Sequence, residues 1–342
     1  MTGRHVVVGP ARHGVVLHAT RLAAAHPALE AATLIVPAET SGRTPAGLGD
    51  AVPPGSTAFL HVTDRLFGSD PEQSAQVIRE LGSRAVLGLS LHDVPQPAEG
   101  EQWYLRRRAA YREFALLATV LVVASNFEKT LLLACLDPGD DAQTVAERTR
   151  VIPLPVERLR SAGPRVHTEG SDVAVLGYLY PGKGLEDVID AAARLRSRSR
   201  RVTVTNYGAA AQGHSDLVGE LTARARSVGV EFLVTGYLTD GELAQALGSA
   251  GVPVAPHRHI SASGSLNTWA AAGRRPIVRR GGYADELDAR LPGAVVLADS
   301  LEVAIEDALD DPGSTWLQPS TVLGPTWTDA AEAHLRAMAE LP

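Results

Sequence analysis

Short runs of Val, Ile, Leu and Ala alternate along the chain with longer stretches in which apolar residues recur at helical spacing. Continuous apolar runs suit strands buried on both faces of a parallel sheet, and the amphipathic stretches suit the crossover helices that join them. The first half predicts strands at residues 5–9, 33–37, 58–62, 85–91, 119–124 and 150–154, with helices at 15–25, 72–81, 102–117 and 127–135. Ser125 and Asn126 are N-cap candidates for the last of these helices. Residues 38–56, rich in Pro, Gly, Ser and Thr, read as a surface loop.

From residue 153 the sequence PLPVERLRSAGPRVHTEGSD has three prolines, mixed charge and no periodicity, the character of a linker. A second alternation follows, with strands at 173–179, 202–206, 231–235, 252–255, 276–279 and 294–297 and helices at 185–195, 215–227, 240–249, 264–272 and 301–309. An Ala-rich amphipathic helix over 328–341 lies beyond the second set and is placed to pack back on the first. The expected organisation is an α/β domain over 1–156, a second over 157–325 and a terminal helix in 326–342. Ligands of such sheets bind beyond the carboxyl ends of the strands, so a cleft between the domains is the expected site.

Composition narrows the classes. The 342 residues are 45% hydrophobic and 21% charged, which suits a globular chain. No apolar run approaches the ~18 residues of a membrane span. A net charge of -7, with no basic run longer than residues 106–108, disfavours nucleic acid as the main partner. Cys135 is the only cysteine, so no internal disulfide forms, and the opening MTGRHVVVGP has strand character where a secretory leader would be apolar. The chain reads as cytoplasmic, with peripheral contact to a membrane surface left open. Of its 32 basic residues only Lys129 and Lys183 are lysines.

Lys183 sits in VLGYLYPGKGLEDVIDAAARL, a strand, a Gly/Pro turn and a helix that opens with acids. Glycines there let backbone amides approach an anion and the ammonium adds charge, while a solvated turn lysine fits the same spacing. Ser261, Ser263, Gly264 and Ser265 lead into another helix, whose free N-terminal amides form an anion site or are simply capped by serine. Spacing alone does not separate these alternatives.

The order of LGYLYPGKG, TGYLTDGELAQAL, the strand ending in Pro256, the Ser/Gly-led helix and AAGRRPIV followed by GG resembles the C-terminal domain of GT-B glycosyltransferases, particularly the retaining family 4. The resemblance implies a nucleotide-sugar donor whose diphosphate rests on Gly182 and Lys183 and on the helix start at Ser263, Gly264 and Ser265. Tyr178 stands where the family carries an arginine. The family's two glutamates, eight positions apart, give way to Ser261 and to Thr268 or Trp269. Arg258 and Arg275 are the candidates for compensating charge.

In the first half, Gly9 and Gly14 flank the first strand-to-helix turn without a G-x-G-x-x-G, which demotes a nicotinamide cofactor. By the resemblance this turn approaches donor and acceptor, making Arg12, His13 and Gly14 site candidates. His92 and Asp93 end the strand in LGLSLHDVPQP, and His92 resembles the family's strand-end histidine that contacts the donor sugar; a capping or core role is the alternative. VLVVASNFEKTLL resembles the family's V-V-x-S turn, bringing Ser125 to the cleft and leaving Lys129 as a contact or a surface lysine. His61, Asp64 and Arg65 are weaker acceptor candidates. His257 and His259 lack a third ligand at metal-binding spacing, so no metal is expected. No G-x-S-x-G elbow or P-loop occurs.

The resemblance implies transfer of a hexose from a nucleotide diphosphate sugar to a hydroxyl acceptor, retaining and metal-independent, with His92 and Lys183 catalytic and no cofactor beyond the donor. Two other classes stay open: a non-catalytic GT-B homologue that binds a sugar nucleotide, glycan or protein, and a sugar-nucleotide epimerase.

Overall fold

The computed structural model describes residues 3–38, 45–159, 172–198, 200–211 and 213–342. Residues 39–44 of the expected loop and 160–171 of the expected linker lie outside them. The contacts divide the chain into two compact units, Met1–Pro155 with Pro325–Pro342, and Val156–Gly324.

In the first unit the strands are β1 Arg4–Gly9, β2 Thr33–Pro37, β3 Thr57–Val62, β4 Val86–Leu91, β5 Val120–Val123 and β6 Thr149–Val151. They form one parallel sheet in the order β2-β1-β3-β4-β5-β6. Each strand follows its apolar run, and β5 is buried at all four positions. The strand expected at 150–154 stops at Val151, because Pro153 has no N–H to continue the ladder. Strand order reverses between β1 and β3, the place where an open α/β sheet leaves a crevice at its carboxyl edge.

The helix Trp327–Met338 belongs to this first unit. Ala330, Ala331, Ala337 and Met338 pack in one cluster with Phe59, Val120 and Val122. Gly88 makes room for that packing: a Cβ there would lie 2.5 Å from the Phe59 ring and 3.1 Å from Leu341. Arg150 adds a two-pronged pair to Glu340 at 2.9 and 2.6 Å.

In the second unit the strands are β7 Asp172–Leu176, β8 Thr203–Tyr207, β9 Glu231–Val234, β10 Val252–Ala255, β11 Ile277–Arg279 and β12 Val296–Ala298. Their order β12-β11-β10-β7-β8-β9, again all parallel, reverses between β7 and β10. β7 was expected to run to residue 179, but Gly177 at φ 109 turns the chain out of the strand. Arg274, 2% exposed, spreads its guanidinium over Leu247 O, Ala250 O, Gly251 O and Thr315, and faces the Trp316 ring at 4.2 Å. It thereby satisfies the Leu247 carbonyl in the last turn of the helix Asp240–Ser249 and the two carbonyls of Ala250 and Gly251 that follow it.

Sequence periodicity misses the short helices Pro27–Ala32, Leu48–Ala51, Asp64–Phe67 and Ala142–Arg148, each two turns or less, and also Gly282–Arg290. Leu48–Ala51 lies within the expected loop, and Leu48 and Ala51 are buried.

Candidate anion cradle and histidine cluster

In the second unit the chain leaves β7 through three glycines with positive φ: Gly177 at 109°, Gly182 at 88° and Gly184 at 89°. A Cβ on Gly184 would lie 2.2 Å from Pro256 O, so the turn seats directly against the end of β10. Lys183, 3% exposed, folds back and donates from Nζ to Leu176 O at 2.7 Å. Burial lowers its pKa to about 7.

A Cβ on Gly177 would lie 2.8 Å from Lys183 Nζ and 4.0 Å from Ser265 Cβ, so two motifs far apart in sequence meet at this glycine. Ser263 caps the helix Gly264–Ala271, accepting from Leu266 N at 3.2 Å, and its Oγ lies 3.0 Å from Ser265 Oγ. Gly264 is exposed at the first helical position with nothing near its missing side chain. A buried cation beside small hydroxyls and a helix N-terminus, at the point where strand order reverses, can hold an anion. Tyr178 is half-buried in the same turn.

Asn206, fully buried near the end of β8, donates Nδ2 to Gly177 O and Gly208 O at 3.1 Å each and was not among the sequence candidates. Its signal was a lone amide ending an apolar strand. It clamps the peptide after the one whose carbonyl, Leu176 O, receives Lys183. His257, also buried, is held well below the usual histidine range by burial and by the nearby Lys183 charge.

At the positions taken for the family's glutamates, Ser261 is buried, Thr268 donates to Gly264 O at 2.8 Å and Trp269 is fully buried in the core. The compensating arginines are committed elsewhere. Arg258 forks onto Asp187 at 2.7 and 3.0 Å, and Arg275 donates to Ser314 O at 3.0 Å and Val295 O at 3.4 Å.

In the first unit, Arg12 is exposed on the turn after β1, His13 caps the helix Gly14–Ala24 by accepting from Val15 N at 3.3 Å, and Gly14 is that helix's exposed first residue. His92 follows β4 and is held at three points. Its N–H donates to Val62 O at 2.9 Å, its carbonyl accepts from Tyr111 OH, and its Nε2 lies 3.0 Å from His61 Nδ1. Asp93, at φ 55, is the single non-glycine with positive φ among the described residues. That conformation brings both its carbonyl and its carboxylate, the latter at 3.0 Å, onto Arg107 Nη2. Arg107 is buried and also holds Asp64 and Glu99.

Several cleft candidates serve the fold. Ser125 is fully buried and caps the helix Asn126–Ala134 by accepting from Glu128 N at 2.9 Å, while Glu128 returns a carboxylate oxygen to Ala124 N at 2.7 Å. Lys129 donates to Ala146 O at 2.8 Å and Thr149 O at 3.2 Å. Asp64 is 2% exposed against Arg107, and His61 is 1% exposed between His5 and His92, so neither is placed to meet an acceptor. Arg65 lies 5.9 Å from the Trp103 ring.

Sequence reading also missed that His5, His18, His61, His92 and His334 gather in one cluster. The signal was present in HVVV and FLHV, where histidine interrupts a strand of buried residues. Among the described residues no group of three or more His, Cys, Asp or Glu side chains is placed to share a metal ion. No helix among them is long and apolar enough to cross a membrane.

No protein-family model matches the chain, and no curated protein matches it in sequence. Solved structures do match its fold. HepE of Anabaena in complex with UDP-glucose superposes with a TM-score of 0.66 at 16% identity, over 99% of this chain and 95% of that one. Sucrose-phosphate synthase of Thermosynechococcus elongatus gives 0.62 at 14% identity, over 99% and 95%. The lipopolysaccharide outer core galactosyltransferase WaaB gives 0.54 at 12% identity, over 98% and 97%. The chain has the GT-B fold of these proteins, two α/β domains each built on a six-stranded parallel sheet.

Proposed function

We propose that this protein is a glycosyltransferase that moves a hexose from a nucleotide diphosphate sugar to a hydroxyl acceptor, with retention and without a metal ion. The carrying observation is the meeting of Lys183, Gly177 and Ser265 at the β7/β10 reversal, beside the N-terminus of the helix Gly264–Ala271. A departing nucleoside diphosphate develops negative charge, and a fixed ammonium with oriented amides stabilises it without reorganising. Lys183 can supply the positive charge that a metal ion would otherwise bring. Gly182, Ser263, Gly264, Ser265 and Tyr178 complete the donor set in this reading. The HepE structure with UDP-glucose, alike in fold, supports the donor class.

By the resemblance, His92 contacts the transferred sugar, and Arg12, His13 and Gly14 face the acceptor. Asp93 and Ser125 act by holding the chain around them. The lone buried Cys135 fits a reducing, cytoplasmic setting.

Calorimetry and thermal-shift measurements with UDP, GDP and ADP and their hexose conjugates test the donor site. A nucleotide at 100 times its dissociation constant stabilises by about 2.7 kcal/mol. The stabilisation disappears in Lys183→Ala if the reading is right. Binding to none of them overturns it and moves the non-catalytic reading forward. That second reading is favoured by one observation: no carboxylate occupies the Ser261, Thr268 and Trp269 positions. Binding without release of nucleoside diphosphate in the presence of hydroxyl acceptors would select it.

A further inference from the structure

We propose that Thr33, His5 and His61 are positioning residues that lock the His92 ring in a single tautomer, proton on Nε2 and lone pair on Nδ1. The role for sugar transfer rests on the reading of His92 as the contact to the transferred sugar. The tautomer itself does not.

The direction of the chain follows from its far end. Thr33 Oγ1 lies 2.6 Å from Leu29 O. A carbonyl cannot donate, so the Thr33 proton points to Leu29, and Thr33 Oγ1 is left as an acceptor. His5 Nδ1 lies 2.8 Å from that oxygen and therefore carries a proton. His5 is fully buried, and burial together with the neighbouring histidines lowers its pKa to about 3, so the ring is neutral and its Nε2 is bare.

His61 Nε2, 2.9 Å away, must then be the donor. His61 is 1% exposed and neutral for the same reason, which bares its Nδ1. His92 Nε2 lies 3.0 Å from that atom and donates to it. Ser90 Oγ lies 3.5 Å from the same Nε2; a proton donated from it would leave two bare nitrogens facing each other at 3.0 Å, so it accepts and does not reverse the link.

The other groups facing the chain leave this order intact. His334 stacks on His61 at 5.7 Å but donates its own Nδ1–H to Ala330 O at 2.8 Å. The His18 ring lies 5.7 Å from His92 and is held neutral by burial. Every link from Leu29 O to His92 has one allowed sense. The partner of one ring nitrogen decides what the other can do, and here that decision is made two rings away.

Long-range proton–nitrogen correlation spectra of protein labelled with nitrogen-15 in histidine test this, with His92 assigned by the loss of its signals in His92→Gln. Wild type at neutral pH is expected to show His92 protonated at Nε2 alone. Thr33→Val keeps the β-branched shape of the start of β2 but removes the acceptor, and is expected to mix or reverse the His92 tautomer. Thr33→Ser is expected to restore it. His5→Gln breaks the same chain at its next link if Thr33→Val does not fold.

The expected kinetic counterpart in Thr33→Val is a fall in kcat of about tenfold or more with KM for the sugar nucleotide unchanged, recovered in Thr33→Ser. A wild-type His92 protonated at Nδ1, or a His92 tautomer that does not respond to Thr33→Val in folded protein, overturns the proposal. A tautomer that shifts without loss of kcat overturns the positioning role. Failure of wild type to turn over any sugar nucleotide defeats the glycosyltransferase reading instead, while the spectra still decide the chain.

Discussion

Lys183 Nζ stands 2.8 Å from the point where a side chain on Gly177 would begin, and donates to the carbonyl of Leu176, the residue just before that glycine. The cation is held by the turn that opens the loop in which it lies. The missing Cβ and the buried ammonium are therefore one feature, and substitutions at either position test the same cradle.

If the proposed donor site is right, Gly177→Ala is expected to weaken nucleoside diphosphate binding by about tenfold or more. A Cβ moves the flexible end of Lys183 more readily than it moves backbone, so the damage falls on the ammonium. The positive φ of 109° adds a stability cost of about 1–2 kcal/mol. Gly293→Ala, at φ 77 with nothing within 4 Å, carries that strain without the contact and should leave nucleoside diphosphate binding intact in calorimetry.

Lys183→Met should stabilise the ligand-free protein while abolishing donor binding. The folded-state pKa of about 7 lies below the ordinary 10.5, so the unfolded chain holds the extra proton between those values. Charge burial thus costs its full amount below pH 7, and the cost fades as pH rises toward 10.5. A gain on the order of 1–3 kcal/mol is expected at neutral pH and little at strongly alkaline pH, read from denaturant melts. A loss of stability at neutral pH would show that the ammonium is well accommodated where it sits.

In the proposed donor site, affinity for a nucleoside diphosphate should fall as pH rises above about 7, because only the protonated amine attracts the diphosphate. The expected slope approaches tenfold per pH unit. Calorimetry in buffers of different ionisation enthalpy should register proton uptake on binding in the same range. A pH-independent affinity with no proton uptake removes Lys183 from the anion site.

Stability should decline in mild acid through the histidine cluster. His5, His18 and His334 titrate at about 3, 3 and 4 in the folded protein, against 6.5 in the unfolded chain, chiefly because burial disfavours the cation. Between those values the unfolded chain takes up the protons, so stability is retained above about pH 6.5 and lost as pH falls below it. Each of the buried histidines His5 and His334 costs about 1.4 kcal/mol per pH unit in that window. His334→Phe, which removes a buried ring nitrogen without a partner, should flatten the decline in denaturant melts from about pH 7 to about pH 5.

Arg274→Met should cost about 3 kcal/mol or more. It strands the carbonyls of Leu247, Ala250 and Gly251 inside the second unit. Hydrogen exchange should show the loss in that unit alone, since all of these partners belong to it.

The strands at 33–37 and 252–255 and the helix at 240–249 fall where the sequence pattern puts them, because an apolar run and helical periodicity are local properties of the chain, although β2 at the sheet edge leaves Leu34 and Ile35 exposed. The Lys183 turn and the serine-led helix were equally legible as sites that glycine and serine leave open to an anion. That they meet across Gly177 was not, because it depends on β7 and β10 becoming neighbours in the sheet.

The same limit governs the rest of the candidate site. By motif alone His61 and Asp64 are acceptor candidates, yet two histidines and Arg107 claim them, while Ser125 takes the N-cap role its position before the helix also offers. Hydrophobic pattern and turn chemistry alone determined the doubly α/β plan of this protein and where its glycine- and serine-rich loops lie. Only the tertiary structure decided which polar groups remain available there, because a hydrogen-bond partner brought in from a distant strand leaves no trace in the residues beside it.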